Sequence, residues 1–386
     1  MDAPRGPKPL PAQGALLVAL CVLAAAPLTL AALRVLVGIG PNGVFEERGR
    51  PGPRIADKKR REPPWAASFR GFAKERAARE SAEVALYVSD TKRRWALGVD
   101  ADRPMYLASG VKLLFMVELL RQREAGELSL DEELLYERED VRDGAPSMNK
   151  ERVGRRYPIR DLLLYMIRDS DNAAADLLIE RIGPERVHAE LLDDGIELGP
   201  IVPLVDVRHE VYRRLDPRAE RLQAWQVRDV RWRDGFHPRL DLLKKHIGPP
   251  YGDYDEDDLD RAYEEYYALG RNHASMRAMG RVLEALAARE LVSRDASEDM
   301  LWLLEHTWTS GRRVEGRLPE GTRVAHKTGT QHERICDLAI IWLPDDTPIV
   351  FAIAVQGGER EAMEDVIADL ARRAYDEAWS VAQAEL

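Results

Sequence analysis

Cysteine is nearly absent from this sequence, with two among 386 residues. Cys21 lies inside an apolar N-terminal stretch, so we expect no disulfide between it and Cys336 and no fold that depends on disulfides. No pair of cysteines resembles a zinc-binding motif. We therefore expect no metal and no cofactor.

The sequence also has no excess of positively charged residues. Lysines and arginines number 57 against 67 aspartates and glutamates, which gives a net charge of −10. Because nucleic acid is itself anionic, it is not the expected partner of this chain. Hydrophobic residues make up 45% of the sequence, as in globular proteins, and the length allows one large domain or two small ones.

The N-terminal residues predict a targeting segment. Arg5 and Lys8 precede an uncharged apolar run over residues 15–33. That order is typical of a signal peptide, but the run is close to the ~20 residues that span a bilayer, and Pro27 should hinder cleavage. Over residues 1–39 we favour an uncleaved inner-membrane anchor over a cleaved signal or a buried helix. Either an anchor or a signal would export the remaining chain to the periplasm or another extracytoplasmic space.

The rest of the chain predicts a linker followed by one α+β domain. Residues 40–66 are rich in glycine, proline and charge, which is typical of a tether. In residues 67–386, strand patterns near both ends enclose helical patterns, which predicts an antiparallel sheet built from 67–107 and 292–386 and an all-helical insert domain over 108–291. Strands are expected over residues 84–88, 95–99, 322–327, 338–342 and 349–355. Helices are expected over residues 69–82, 112–124, 159–168, 173–182, 184–193, 275–291, 297–307 and 362–383.

The pattern Ser-x-x-Lys occurs three times, beginning at Ser89, Ser109 and Ser147. Ser89 opens a polar stretch that predicts a hairpin turn, and Ser147 stands in a charged loop. Only Ser109 begins a strong helical pattern. One helical turn would bring Lys112 within reach of the Ser109 hydroxyl, as a nucleophile requires of its base. Taken alone, the pattern at Ser109 would favour an N-cap serine followed by a surface lysine.

Two further motifs follow in order: Ser170-Asp171-Asn172 between two predicted helices, and Lys327-Thr328-Gly329 at the end of a predicted strand. Ser-x-x-Lys, Ser-Asp-Asn and Lys-Thr-Gly in one chain are the signature of class A β-lactamases and penicillin-binding proteins. The sequence resembles that family over most of residues 70–386. The resemblance implies a β-lactamase-like fold and a serine hydrolase that cleaves β-lactam or related amide bonds through an acyl-serine intermediate. It also implies a small-molecule β-lactam or peptidoglycan-type substrate.

The resemblance assigns roles to the first two motifs. Ser109 is the nucleophile and Lys112 its base, provided that burial or a nearby cation destabilises the lysine ammonium. Ser170 passes a proton to the leaving nitrogen, and Asn172 holds both Lys112 and the substrate amide. A simpler role for the Ser-Asp-Asn motif, as an N-cap that joins two helices, is compatible with this one.

The third motif is implied to bind the substrate carboxylate. Lys327, Thr328 and Thr330 are placed for that contact, and Gly329 lets the substrate backbone approach closely. The backbone N–H groups of Ser109 and Thr330 would form the oxyanion hole. The alternative is an exposed edge strand that a lysine protects.

Deacylation is the step for which the sequence departs from the family. Class A β-lactamases carry a glutamate followed closely by an asparagine on a loop after Ser-Asp-Asn. Glu210 is the candidate here and Asp206 its rival, but Arg213 and Arg214 stand where the asparagine is expected. A glutamate on a helix surface is the alternative. Two other functions therefore stay open: a D,D-peptidase or related serine hydrolase, and a β-lactam receptor that is acylated without turnover.

An insertion over about residues 211–271 lengthens the chain relative to the family. Its tryptophans and tyrosines could cover the pocket or simply pack a small satellite core. Within it, an acidic run beginning at Asp253 imitates the spacing of a calcium loop, but Asp258 replaces the glycine that the sharp turn needs. We expect this run to cap a helix instead.

Overall fold

The computed structural model describes residues 55, 60–231, 236–249, 252–309 and 311–385. The predicted targeting segment, residues 1–39, lies outside them, and so does most of the predicted linker. Among the helices in the described part of the chain, none is long and apolar enough to cross a membrane.

The element order agrees with the predicted α+β fold. The strands are β1 Glu83–Asp90, β2 Trp95–Val99, β3 Pro104–Tyr106, β4 Glu133–Tyr136, β5 Arg155–Pro158, β6 His273–Ser275, β7 Val324–Gln331, β8 Arg334–Trp342 and β9 Pro348–Gln356. The helices are α1 Ala66–Ala78, α2 Lys112–Glu124, α3 Ile159–Arg168, α4 Asn172–Ile182, α5 Pro184–Asp193, α6 Leu204–Leu215, α7 Ala224–Arg231, α8 Phe236–Ile247, α9 Glu256–Tyr267, α10 Met276–Ala287, α11 Arg294–Glu305 and α12 Arg360–Gln383. Short 3₁₀ helices include Ala108–Val111 and Val314–Arg317.

A five-stranded antiparallel sheet joins the two ends of the domain, as predicted. Its strand order is β2-β1-β9-β8-β7, and the register pairs Glu83 with Gln356 and Val324 with Ile341. The central strands β8 and β9 are buried along nearly their whole length, because α1 and α12 cover one face and α10 covers the other. This arrangement leaves β7 at the edge of the sheet.

The helical insert is built around α2. Residues 112–122 of this helix are all buried, which is the pattern of a helix that is surrounded by protein on every side. Helices α3, α4 and α5 pack against it. Lys112 stands at the N-terminus of α2, directly after the 3₁₀ helix Ala108–Val111. This 3₁₀ helix contacts β7 and β8 and so joins α2 to the sheet.

The insertion after Glu210 forms a satellite core, one of the two alternatives that the sequence left open. Tyr263, Tyr266 and Tyr267 of α9 are buried in a cluster with residues of α6, α7 and α8. Tyr106 of β3 belongs to the same cluster, with its ring centroid 4.9 Å from that of Tyr267. The acidic run caps α9 as predicted, since the Asp255 carboxylate accepts a hydrogen bond from the N–H of Asp258.

Candidate active site

Ser109 sits in the 3₁₀ turn that leads into α2, half-buried at the wall of a cavity. The residue before it, Ala108, has φ of +46°, in the left-handed region that non-glycine residues rarely adopt. Strain of this kind persists where the surrounding structure enforces it, and it is concentrated at functional sites. The sequence predicted the helix correctly, and the structure adds the tight turn that presents the hydroxyl.

The other two Ser-x-x-Lys serines have different environments. Ser89 is fully buried in β1, not in a turn as predicted, and its hydroxyl donates to Glu284. The Ser147 hydroxyl donates to Asp169 at 2.5 Å. Among these three serines, Ser109 lines the cavity described below.

Lys112 is fully buried at the first position of α2. Its ammonium donates to the backbone oxygen of Ser170 at 2.5 Å, to Asn172 Oδ1 at 2.7 Å and to Ser170 Oγ at 3.4 Å. A surface lysine is therefore excluded here. These contacts join the Ser-x-x-Lys and Ser-Asp-Asn motifs, which are about 60 residues apart in the chain.

The Ser170-Asp171-Asn172 segment connects α3 and α4. Asp171 caps α4 by accepting from the N–H of Ala174 at 2.9 Å, so the predicted capping role is confirmed. Ser170 has φ of +55°, and this turn directs its hydroxyl to the two lysines. The Asn172 side chain is held from both sides, because its Nδ2 donates to the backbone oxygen of Asp143 at 2.8 Å.

Lys327, Thr328, Gly329 and Thr330 lie on the edge strand β7. Lys327 is fully buried, and its ammonium donates to Ser170 Oγ and to the Thr328 backbone oxygen, both at 2.9 Å. A Cβ at Gly329 would stand 2.2 Å from the Leu107 backbone oxygen. Only glycine therefore allows this strand to lie against the turn that carries Ser109.

Both buried ammonium groups have a lowered pKa. Burial, followed by the charge of Lys327, holds the pKa of Lys112 well below its usual range, although nearby aspartates oppose the shift. Burial lowers the pKa of Lys327 to about 8. A lysine whose pKa falls in this way can carry a neutral amine near neutral pH and accept a proton.

A cavity of about 650 Å³ opens beside these groups. Ser109, Ser170, Asn172 and Thr330 line it, together with residues of the insertion. The insertion contributes Arg228 and Arg231 to the pocket wall, whereas its tyrosines Tyr263, Tyr266 and Tyr267 pack the satellite core. The lining residues are Tyr106, Ala108, Ser109, Asp143, Gly144, Pro146, Asp169, Ser170, Asn172, Leu204, Val207, Arg208, Arg228, Arg231, Thr330, Gln331 and Arg360.

Glu210 is not among the residues that line this cavity. Its carboxylate forms ion pairs with Arg213 at 2.8 Å, Arg214 at 2.5 Å and Arg271 at 3.6 Å. Burial raises its pKa, but the hydrogen bonds and charges of Arg213 and Arg214 together outweigh that effect and lower the pKa to about 2. The role of Glu210 in deacylation stays a prediction that this geometry does not favour. Its rival, Asp206, does not line the cavity either.

Sequence patterns missed Arg313, a fully buried guanidinium behind β7. It donates to the Gly329 backbone oxygen at 2.8 Å, to Thr330 Oγ1 at 2.6 Å and to Glu364 of α12 at 3.2 Å. Arg313 therefore holds the strand end that carries the third motif. No local pattern marks it, because arginines alternate with acidic residues throughout this chain.

Comparisons with known proteins identify the family of this chain. The model of the beta-lactamase enzyme family matches residues 70–378. The extended-spectrum β-lactamase PER-1 of Pseudomonas aeruginosa is 26% identical over 283 residues, which cover 70% of this chain and 74% of that protein. A β-lactamase of Bacillus licheniformis is 22% identical over 74% of this chain and 75% of its own length.

Solved structures show the same fold. The class A β-lactamase described as the last common ancestor of Gram-negative bacteria superimposes with a TM-score of 0.60 at 23% identity, covering 81% of this chain and 99% of its own. A β-lactamase of Xanthomonas campestris gives a TM-score of 0.61 at 18% identity, covering 81% and 97%. The match to the family extends over nearly the whole described domain and includes all three motifs. The chain therefore belongs to the beta-lactamase enzyme family and is a serine hydrolase of the class A β-lactamase fold.

Proposed function

We propose that Ser109 is acylated by the carbonyl carbon of a β-lactam or a related amide. The observation that carries the proposal is the state of Lys112, which is buried and has a lowered pKa. It follows Ser109 by three residues and forms hydrogen bonds with Ser170 and Asn172. Such an amine can remove the proton of a neighbouring hydroxyl, which otherwise is a weak nucleophile.

The acylation step then uses the two lysines and Ser170 in turn. Ser109 Oγ forms a bond to the carbonyl carbon while its proton passes to Lys112. As the carbon–nitrogen bond breaks, the Ser170 hydroxyl gives its proton to the leaving nitrogen. The ammonium of Lys112 or Lys327 can then return a proton to Ser170 Oγ, to which both lysines are hydrogen-bonded. The backbone N–H groups of Ser109 and Thr330 would stabilise the oxyanion.

The substrate carboxylate is assigned to the end of β7. Lys327 supplies positive charge there, and the hydroxyls of Thr328 and Thr330 are held by Thr309 at 2.8 Å and by Arg313 at 2.6 Å. Hydrogen bonds from charged donors to a carboxylate are short and about twice as strong as neutral ones. The carboxylate of a β-lactam or of a terminal D-alanine matches this set of donors.

A second candidate function follows from the carboxylates that line the cavity. Among the described lining residues these are Asp143, which pairs with Arg208 at 3.1 Å, and Asp169, which pairs with Arg168 at 2.7 Å. A carboxylate held by a guanidinium is a weak base for activating water. This supports slow deacylation, as in a D,D-peptidase or a receptor that stays acylated.

We also propose that the chain is exported and that residues 1–39 contact the inner membrane. Export is usual for β-lactamases, and the uncharged run over residues 15–33 with Pro27 supports an anchor over a cleaved signal. N-terminal sequencing of the mature protein is expected to find this run retained. A mature start near Pro27 or Ala32 would show cleavage and contradict the anchor.

Replacing the nucleophile is expected to abolish covalent labelling. Ser109→Ala should give no adduct with a fluorescent penicillin, because no other described serine of a Ser-x-x-Lys pattern lines the cavity. The matched control is Ser147→Ala, which has the same sequence pattern outside the cavity and should label like wild type. An adduct of the expected mass on Ser109→Ala, seen by mass spectrometry, would refute the assignment.

Replacing Lys327, the cation of β7, is expected to impair charged and neutral substrates to different extents. Lys327→Ala should slow acylation by a carboxylate-bearing β-lactam at least about tenfold more than acylation by a neutral ester, since a charged hydrogen bond is lost only with the former. Lys150→Ala, a surface lysine of the third Ser-x-x-Lys pattern, serves as the control. Equal losses on both substrates would mean that Lys327 acts on Ser170 or on the fold and not on the carboxylate.

Turnover is expected to be slow in the wild type. Rapid kinetics with a chromogenic cephalosporin should show a fast burst of acylation followed by slow hydrolysis of the acyl-enzyme. Glu210→Gln should change this hydrolysis rate little, because the Glu210 carboxylate already forms ion pairs with three arginines. Asp206→Asn is the matched comparison. If Glu210→Gln instead prolongs the adduct by about a hundredfold, as loss of a general base would, Glu210 drives deacylation.

A further inference from the structure

The cavity beside Ser109 has a strongly cationic wall that the proposed acylation does not use. Four arginines line it, Arg208, Arg228, Arg231 and Arg360, against the two carboxylates of Asp143 and Asp169. Arg208, Arg228 and Arg231 lie on α6 and α7. Most of this charge therefore comes from α6, α7 and the insertion, and not from the three motifs.

Three of the four arginines have acidic partners. Arg208 is buried and pairs with Asp143, Arg228 pairs with its neighbour Asp229 at 2.7 Å, and Arg360 pairs with Glu364 at 3.3 Å. Arg231 forms no hydrogen bond or ion pair with any residue in the described part of the chain. Of these four arginines, Arg231 is thus the one whose guanidinium has no acidic partner among the described residues, and its hydrogen-bond donors remain for a ligand.

The surroundings of Arg231 disfavour its charge. Arg231 is an exposed residue, but partial desolvation by neighbouring atoms, followed by the charges of Arg208 and Arg239, lowers its pKa, and Asp143 compensates only in part. Like charges held together near a cavity are stabilised when an anion binds between them. A carboxylate fits the planar guanidinium fork of arginine particularly well.

An adjoining cavity of about 670 Å³ shares Arg208, Arg231 and Arg360 with the first. Beyond these shared arginines and Arg239, its wall is largely acidic. The acidic residues that line it are Glu80, Glu256, Asp260, Glu333 and Glu359. Arginines thus outnumber carboxylates in the cavity beside Ser109, whereas the adjoining cavity has a wall of mixed charge.

A chain of contacts connects this wall to the amide-binding side of the site. Asn172, which is assigned to the substrate amide, donates to the Asp143 backbone oxygen. The Asp143 carboxylate in turn accepts from Arg208 at 3.1 Å, and Arg208 lies near enough to Arg231 to lower its pKa. Because Asn172, Arg208 and Arg231 line the same cavity, a group attached to the acyl side of the amide has these arginines within the same pocket.

We propose that Arg231, with Arg208 beside it, binds a second anionic group of the substrate: a carboxylate on the acyl side chain. This inference rests on the proposed function and deepens it, because it names the substrate class as β-lactams or amides with one carboxylate on each side of the scissile bond. The Lys327 end binds one of these carboxylates, and Arg231 binds the other.

Two penicillins that differ by one carboxylate test the proposal on the acylation step. Benzylpenicillin and its α-carboxy derivative share everything except the charge on the side chain. The measured quantity is the ratio of two acylation rate constants, that of the carboxylated compound over that of benzylpenicillin. In Arg231→Gln this ratio should fall about tenfold, since one charge-assisted hydrogen bond is lost. Arg231→Lys should restore part of the ratio.

The control is Arg221→Gln, which removes one positive charge from an exposed position of the same insertion outside both cavities. It should keep the wild-type ratio, and this separates a local contact from a general effect of net charge. Arg231 is preferred to Arg208 for substitution because loss of Arg208 would leave Asp143 without its ion pair. A ratio that is the same in wild type and Arg231→Gln would overturn the proposal.

A second measurement does not depend on acylation. In Ser109→Ala, phenylmalonamic acid, which carries an amide and a carboxylate, should bind about tenfold more tightly than phenylacetamide, which carries the amide alone. Adding Arg231→Gln should remove that difference in an NMR titration. Equal affinity for the two fragments would overturn the anion site. If neither penicillin acylates the wild type while the fragments behave as expected, the proposed function fails and the anion site stands.

Discussion

The buried ammonium of Lys112 is the interaction on which the site depends. Taking a charge out of water is costly unless hydrogen bonds replace the lost solvation, and here Ser170 and Asn172 replace it. Those bonds join α2 to the connection between α3 and α4, and Lys327 extends the network to the sheet through Ser170. The contacts that assemble the three motifs thus bury the Lys112 ammonium near Lys327, and it is this burial and the charge of Lys327 that lower the pKa of Lys112 and prepare it to accept a proton.

A second constraint is the close approach of the edge strand to the turn at Ser109. Gly329 has no room for a side chain against Leu107, and a Cβ at Gly110 would stand 2.8 Å from Cys336 Sγ. The thiol of Cys336 is fully buried and donates to the Leu107 backbone oxygen at 3.1 Å. One of the two cysteines in this sequence therefore acts as a small packing residue beneath the nucleophile, where a larger side chain would push the turn away from β7.

Local patterns were sufficient to predict the sheet, most of the helices and the motif residues. Ser109, Lys112 and Lys327 stand in short motifs whose spacing follows from helix and strand geometry, so the sequence carries their signal directly. Glu210 has no such signal. Its carboxylate is paired with arginines that lie three, four and 61 residues away in the sequence, and only the folded structure shows that they surround it. Arg313 and Arg231 were missed for the same reason, because an arginine at a cavity and one on a solvated face look alike in sequence.

The contacts of α12 have a consequence for the order in which the protein is made. Glu364 of this helix anchors Arg313 behind the third motif, and Arg360 at its start lines the cavity. Besides its neighbour β2, strand β1 pairs with the distant strand β9, Pro348–Gln356. Pairing of such distant segments must wait until both have left the ribosome, and closing so long a loop is slow. Ser109 is therefore synthesised about 250 residues before Arg360 and Glu364, which complete the surroundings of its site.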